Sequence, residues 1–220
     1  MEPTRRLTGD DGSVLAEAAL LSPVLIYILF GVIEMGVYFR SYLTIGATAT
    51  DGARIASIAG NASDADWQIL QVIKARSTTV AQSTIVKVVI FHTTKPANGV
   101  SVVAPATCTA GVVRVSSSAA PNECNAYTPN DDWASLSVPA NKTLYSCTQN
   151  TPTILPAGSR SAGWCAANRK VALTNLQSKG PPDYLGVYVI FSHKFITGLF
   201  GQQKAIIETI VTQLEPQTNQ

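Results

Sequence analysis

The stretch GDDGSVLAEAALLSPVLIYILFGVIEMGVYF, Gly9 to Phe39, decides how the rest of the chain is read. Between Glu17 and Glu34 it carries no charge. A helix over 18–33 at about 1.5 Å per residue is roughly 24 Å long, a little short of the ~30 Å hydrocarbon core of a bilayer. Glu17 and Glu34 therefore fall near opposite edges of that core, where a carboxylate can reach headgroups or partners. Val37, Tyr38 and Phe39 extend the apolar length, and Tyr38 and Tyr42 suit an interface. The expectation is a membrane helix over 13–40. Burial of the same helix in a soluble core is the plainer alternative, and the unbroken apolarity argues against it. Pro23 removes the hydrogen bond to the Ala19 carbonyl, so a local loosening is expected there.

A secretory signal peptide also fits in part. Arg5 and Arg6 give a basic start, and Ala47-Thr48-Ala49 has the small-x-small form of a cleavage site. The apolar region is too long for a signal core, however, and Ala49 lies ten residues beyond Phe39.

Composition bounds the remainder. Charged residues make up 14% of 220, and the formal charge is +2, with no basic run to mark a nucleic-acid face. The four cysteines, Cys108, Cys124, Cys147 and Cys165, lack the close pairing of a zinc site. An even count in a loop-like segment favours two disulfides on the oxidising side of the membrane. Three connectivities are possible, and the sequential one, 108–124 with 147–165, is the expected one. The cysteines thus place the C-terminal part outside and the short N-terminus in the cytoplasm; Arg5 and Arg6 before the helix are balanced by Arg40 and Arg54 after it.

Gly12-Ser13-Val14-Leu15-Ala16-Glu17 resembles the type IV prepilin processing pattern, in which a membrane peptidase cuts after the glycine. Cleavage would free a cationic amine at Ser13, and the Glu17 carboxylate could compensate it in the same subunit or a neighbour. An unpaired carboxylate at mid-helix costs on the order of 2.5–3.5 kcal/mol, less near an end. Pairing on assembly offsets that cost and fixes axial register. The plainer reading is a glutamate that snorkels to water.

The wider segment, with Gly12, Glu17, Ala19, Pro23, Gly31, Ile33, Glu34 and Gly36, resembles the N-terminal signature of TadE-like proteins of the tight-adherence pilus system. DGARIAS, Asp51 to Ser57, is similar to that family's Gly-Ala-Arg segment, and Glu215-Pro216 resembles the way many such chains finish. The likeness covers roughly residues 12–60. Ala18 departs from the aromatic residue of Flp-type pilins, and Asp10-Asp11 departs from a basic approach to the cut. The resemblance implies a membrane-anchored, pseudopilin-like protein, open to processing by a prepilin peptidase, that partners other pilin or pseudopilin subunits and the assembly machinery. It implies no catalytic activity and no cofactor. The residues leave two other classes open: a single-pass adhesion or sensing domain that does not assemble, and a membrane-tethered hydrolase.

Beyond the membrane, the helix is expected to continue over 41–62, with Gly46, Ala49, Ala53, Ala56 and Gly60 forming a stripe of small residues. Ser63 or Asp64 is expected to cap a second helix, carrying Trp67, Leu70, Ile73 and Ala75, that runs to about Gln82. Strands are expected over 85–94, 100–103, 111–116, 184–195 and 205–214, with 117–182 as long disulfide-tied loops. The fold expected is α+β: leader 1–12, membrane helix 13–40, helix extension 41–62, and an extracytoplasmic domain 63–220 with an antiparallel sheet.

There is no Gly-rich phosphate loop, H-E-x-x-H or G-x-S-x-G. GSRSAG, Gly158 to Gly163, misses the serine-elbow spacing by one position. Asp64/Asp66 and Asp131/Asp132 read as caps and turns rather than metal ligands. His92 and His193 stand in strands without a partner motif.

Overall fold

The computed structural model describes residues 10–78, 83–98, 102–111, 123–147, 159–161, 163–171, 174–175, 178–179 and 181–216. Helix α1 runs unbroken from Asp10 to Ala59. It stops at Gly60, whose φ of 53° takes the left-handed conformation glycine tolerates and whose N–H still reaches the Ala56 carbonyl at 3.1 Å. Helix α2 (Ala65–Ser77) folds back against α1. Strand β1 (Ser83–Thr93), the short helix α3 (Ala106–Ala110), strand β2 (Cys124–Tyr127) and the single turn α4 (Pro129–Asp132) follow. Three 3₁₀ turns, 135–137, 139–145 and 166–168, and a two-residue hairpin, β3 (Thr174–Asn175) with β4 (Ser178–Lys179), lead to the long hairpin β5 (Tyr184–Lys194) and β6 (Gln203–Gln213). The four longer strands form one antiparallel sheet in the order β2-β1-β5-β6. This is an α+β fold with an apolar N-terminal helix and disulfide-tied loops.

Side-chain alternation explains which face the helices cover. Leu185, Val187, Val189 and Phe191 of β5 point to the α1 side, opposite Ile206 and Ile210 of β6, and join Ile45, Ala49, Ala53 and Ala56 of α1 in the main core. In β1 the inward set switches parity, from Ile85 to Val88 and Ile90. The switch coincides with a register shift between Ile85 and Lys87, where Val86 is the extra residue and its side chain is 46% exposed. On the opposite face Val89, Phe91, Ala104, Cys108, Cys124, Ala126 and Tyr188 form a smaller cluster.

Several expectations are corrected. Val102 and Val103 lie in irregular backbone, with Val103 exposed, and Gly111 is a bend; 100–101 and 112–116 lie outside the described residues. The segment read as loop contains β2, whose four residues CNAY carry no strand-like periodicity. They pair because β1 leaves its edge from Val88 to Phe91 free for them. Helix α2 ends at Ser77 rather than near Gln82, and Ala75 is exposed. Asp64 stands at the N-cap position without capping; its carboxylate instead takes Gln68 Nε2 at 3.1 Å and Lys142 Nζ at 2.7 Å.

The candidate membrane helix and its junction with the domain

Residues 13–30 of α1 are exposed on every side, including Leu20 (76%) and Leu25 (65%). No stripe is covered and none is polar, so the surface is stable only against another apolar medium. One-sided cover from the domain begins at Gly31 and Glu34. The free apolar stretch is therefore 13–33, roughly 30 Å at about 1.5 Å per residue, which matches a hydrocarbon core. This is a single-pass membrane anchor by length, composition and exposure. Within it, the helix continues through Pro23, and the Ser22 hydroxyl points at the Ala19 carbonyl that Pro23 leaves without its N–H, at 3.4 Å. Glu17 is exposed among these apolar side chains, and Gly12–Ser13 sit in the first turn of the helix; residues 1–9 lie outside the described residues.

At the other end, Glu34 is almost completely buried, at 1% exposure. Its carboxylate is met by the turn joining β5 to β6: the Thr197 N–H donates to Oε1 at 2.9 Å, and the Thr197 hydroxyl donates to Oε2. Headgroups or a partner were the expected company for this acid, yet the chain's own turn supplies it. Gly198 and Gly201, with φ of 74° and 101°, let that turn close. Just above, Tyr38 stacks on Phe195 at 5.9 Å and meets His193 edge-on at 5.4 Å, and Phe195 lies 6.1 Å from Phe200. Lys204 Nζ sits 5.6 Å over the Tyr38 ring. His193 shares a hydrogen bond with Ser83 Oγ at 2.9 Å. Burial pushes its pKa below the ordinary value, with the Glu34 charge opposing.

Farther along, Ala49, Ala53 and Ala56 are buried against the sheet, so the stripe of small residues serves the protein's own packing. Gly52 makes the closest approach: a Cβ there would lie 3.0 Å from Ile73 Cδ1 and 3.7 Å from Val187 Cγ1. Gly46 has no such neighbour within 4 Å. The C-terminal strand is sewn to the same helix, with Ser57 Oγ donating to the Gln213 carbonyl at 2.7 Å and the Glu215 N–H to the Ser57 carbonyl at 3.1 Å.

The loops are held by two disulfides, Cys108–Cys124 and Cys147–Cys165. They are also held by a buried polar network that the sequence did not announce. Asp66 and Arg169 form an ion pair with neither side chain exposed. Asp66 also accepts from Asn125 Nδ2 at 2.6 Å and from the Tyr127 hydroxyl at 2.7 Å, while Arg169 lies 4.5 Å over the Trp164 ring. Burial, reinforced by the Asp66 charge, holds the Tyr127 hydroxyl far above its ordinary pKa. A second knot joins Arg160 Nη1 to Asp132 Oδ1 at 2.6 Å and the Tyr145 hydroxyl to the same oxygen at 3.1 Å. Burial, with the Asp132 charge adding to it, pushes Tyr145 up to about 12. These aspartates hold structure together. Among the described residues no group of three or more His, Cys, Asp or Glu could hold a metal ion. His92 lies 3.5 Å from Asp183 at the surface, far in sequence from His193 and not joined to it.

Residues 12–54 match the family described as TadE-like protein. The chain carries a TadE-like segment. That segment coincides with the exposed helix, Glu17, Glu34 and the first turns that pack on the sheet, and it covers less than half of the chain. The likeness to the family rests on that segment alone. No curated protein and no solved structure matches the chain. The domain after α2 is therefore understood from its own geometry.

Proposed function

We propose that this protein is a pseudopilin or minor pilin of a tight-adherence type IV pilus system, anchored by residues 13–33 and acting through helix–helix association in the membrane. The N-terminus lies in the cytoplasm and the disulfide-bonded domain outside, where thiols are oxidised. The observation that carries this reading is Glu17, exposed on a helix that is otherwise apolar on every side and that lies in the TadE-like segment. An acid there is costly in lipid and gains from a cation, which cutting between Gly12 and Ser13 would create. Other subunits of the pilus apparatus are the partners whose helices bring such cations alongside.

Two measurements test it. Intact mass of the membrane-extracted protein, produced with a prepilin peptidase, should show loss of residues 1–12 and a start at Ser13. Glu17→Ala should still insert in the membrane but co-purify less with its pilus partners. An uncut N-terminus together with normal co-purification of Glu17→Ala would leave a single-pass adhesion or sensing domain in place of an assembly protein.

A further inference from the structure

The β5–β6 turn, residues 195–202, is placed by Glu34 at the point where the helix leaves its fully exposed apolar stretch. Two of its large side chains face outward: Ile196 is 58% exposed and Phe200 is 51% exposed. A soluble turn seldom offers both in the space of five residues without something to cover them. The depth of Phe200 is fixed by α1, because its ring carbon Cζ lies 4.0 Å from where a Cβ of Gly31 would be. Gly31 is three residues before Glu34 on the helix, about 4.5 Å farther along its axis toward the apolar stretch. Phe200 thus reaches past Glu34, alongside helix residues that are themselves exposed and apolar. The segment from Lys194 to Lys204 contains no acidic residue, and both of these lysines are exposed on the strands flanking the turn.

We propose that this turn is a second contact with the bilayer, with Ile196 and Phe200 sunk in the interfacial layer of the leaflet from which the helix emerges. The proposal rests on the single-pass anchoring described above. Aromatic and aliphatic side chains at this depth leave water for the headgroup–acyl boundary, while Lys194 and Lys204 stand at the height of the lipid phosphates. A helix alone can rotate and tilt freely in lipid. A helix with a clamped, embedded turn beside it has one preferred orientation, and the domain then presents a fixed face to whatever lies next to it in the membrane.

The test uses the full chain reconstituted in phospholipid vesicles, with no other protein, whose acyl chains are brominated near the headgroup. Tryptophan emission is compared for the parent, Phe200→Trp and Tyr27→Trp. The native tryptophans at 67, 133 and 164 supply the common background. Tyr27 lies in the exposed apolar stretch and reports insertion of the helix itself. The expected result is a loss of emission in Phe200→Trp beyond that of the parent, with a blue-shifted added component. If Tyr27→Trp is quenched and Phe200→Trp behaves like the parent, the turn is in water and the proposal is overturned while anchoring stands. If neither is quenched, the anchoring reading falls and the proposal falls with it.

Discussion

Glu34 and Thr197 lie 163 positions apart in sequence, yet both carboxylate oxygens of Glu34 are taken by Thr197, one by its N–H and one by its hydroxyl. A carboxylate removed from water is tolerated when charge-assisted donors replace its hydration. Here the replacement comes from the hairpin end of the sheet, so the acid that closes the apolar stretch is also the fastener between helix and domain. The exposed anchor and the folded domain are thereby joined as one body, with Tyr38, His193 and Phe195 packed immediately behind the fastener.

Removing that carboxylate should loosen the turn before it affects the rest of the domain. In detergent, amide exchange at Thr197 is expected to accelerate in Glu34→Ala and to a lesser degree in Glu34→Gln, which keeps one acceptor oxygen. The main core on β5, around Val187 and Val189, should remain protected, because it rests on α1 residues beyond Ile45. Hydrogen-exchange mass spectrometry of peptides spanning 195–202 reads this directly. Unchanged exchange in Glu34→Ala would show that the turn is held by its aromatic contacts alone.

The Asp66–Arg169 pair gives a larger expected loss. Neither side chain is exposed, and in the described structure Arg169 Nε and Nη1 make no hydrogen bond, so Asp66 is the partner on which the buried guanidinium depends. Asp66→Ala strands that charge, along with the donors of Asn125 and Tyr127, and should cost about 3–5 kcal/mol. Arg169→Ala should cost less, since Asp66 keeps its bonds from Asn125 and Tyr127. Denaturant midpoints of the two variants decide the order, and equal or reversed losses would contradict it.

How much of this was visible in the residues differs by region. The helix from Ser13 onward, its end near Gly60 and the β5–β6 hairpin follow from local pattern: unbroken apolarity, a glycine past the last turn, and β-branched alternation such as Ile206 to Val211. The sequential disulfides join cysteines 16 and 18 residues apart, so short-range reasoning reaches them too. Strand β2 and the Asp66 network were not legible. Asn125 and Tyr127 become structural only because β1 places them beside Asp66 of α2 and Trp164, 59 to 61 and 39 residues away. The role of Glu34 was half visible: its place on the helix followed from spacing, whereas its partner sits on a turn that carries no motif.

A cross-strand pair explains an otherwise unremarked glycine. Gly186 sits opposite Phe91 in the β1–β5 register, and a Cβ on it would lie 2.1 Å from Phe91 Cζ. Phe91 is 1% exposed and walled in by the cluster on that face, so its ring cannot swing away freely. Gly186→Ala should therefore destabilise the domain by about 1–3 kcal/mol. Phe91→Leu combined with Gly186→Ala should lose less than the sum of the two single changes, because the shorter side chain vacates the contested space. A double-mutant cycle in thermal or denaturant unfolding measures this, and strict additivity would deny the contact.

Acid should open the loops through two half-buried carboxylates. Burial disfavours the charged form of Asp64, but hydrogen bonds from Lys142 and Gln68, with the Lys142 charge, hold its pKa below the usual carboxylate value. Burial likewise opposes ionisation of Asp183, and it is outweighed by the His92 ring 3.5 Å away, the Lys170 N–H at 2.8 Å and the charges of both residues. Each folded pKa lies below its unfolded counterpart of about 3.9. Their stabilisation is thus complete above that value and is lost as pH falls from it through the folded values. Asp64 ties the start of α2 to the 3₁₀ turn at 139–145, and Asp183 ties the start of β5 to β1 and to Lys170. Thermal melts of the full chain in detergent should therefore decline gently below about pH 6.5, where the depressed pKa of buried His193 already favours the unfolded chain, and more steeply below about pH 4. Asp64→Asn and Asp183→Asn should each melt earlier at pH 7 and show a shallower acid decline, since the group that titrates is gone. An acid decline equally steep in the double variant would mean that other carboxylates govern it.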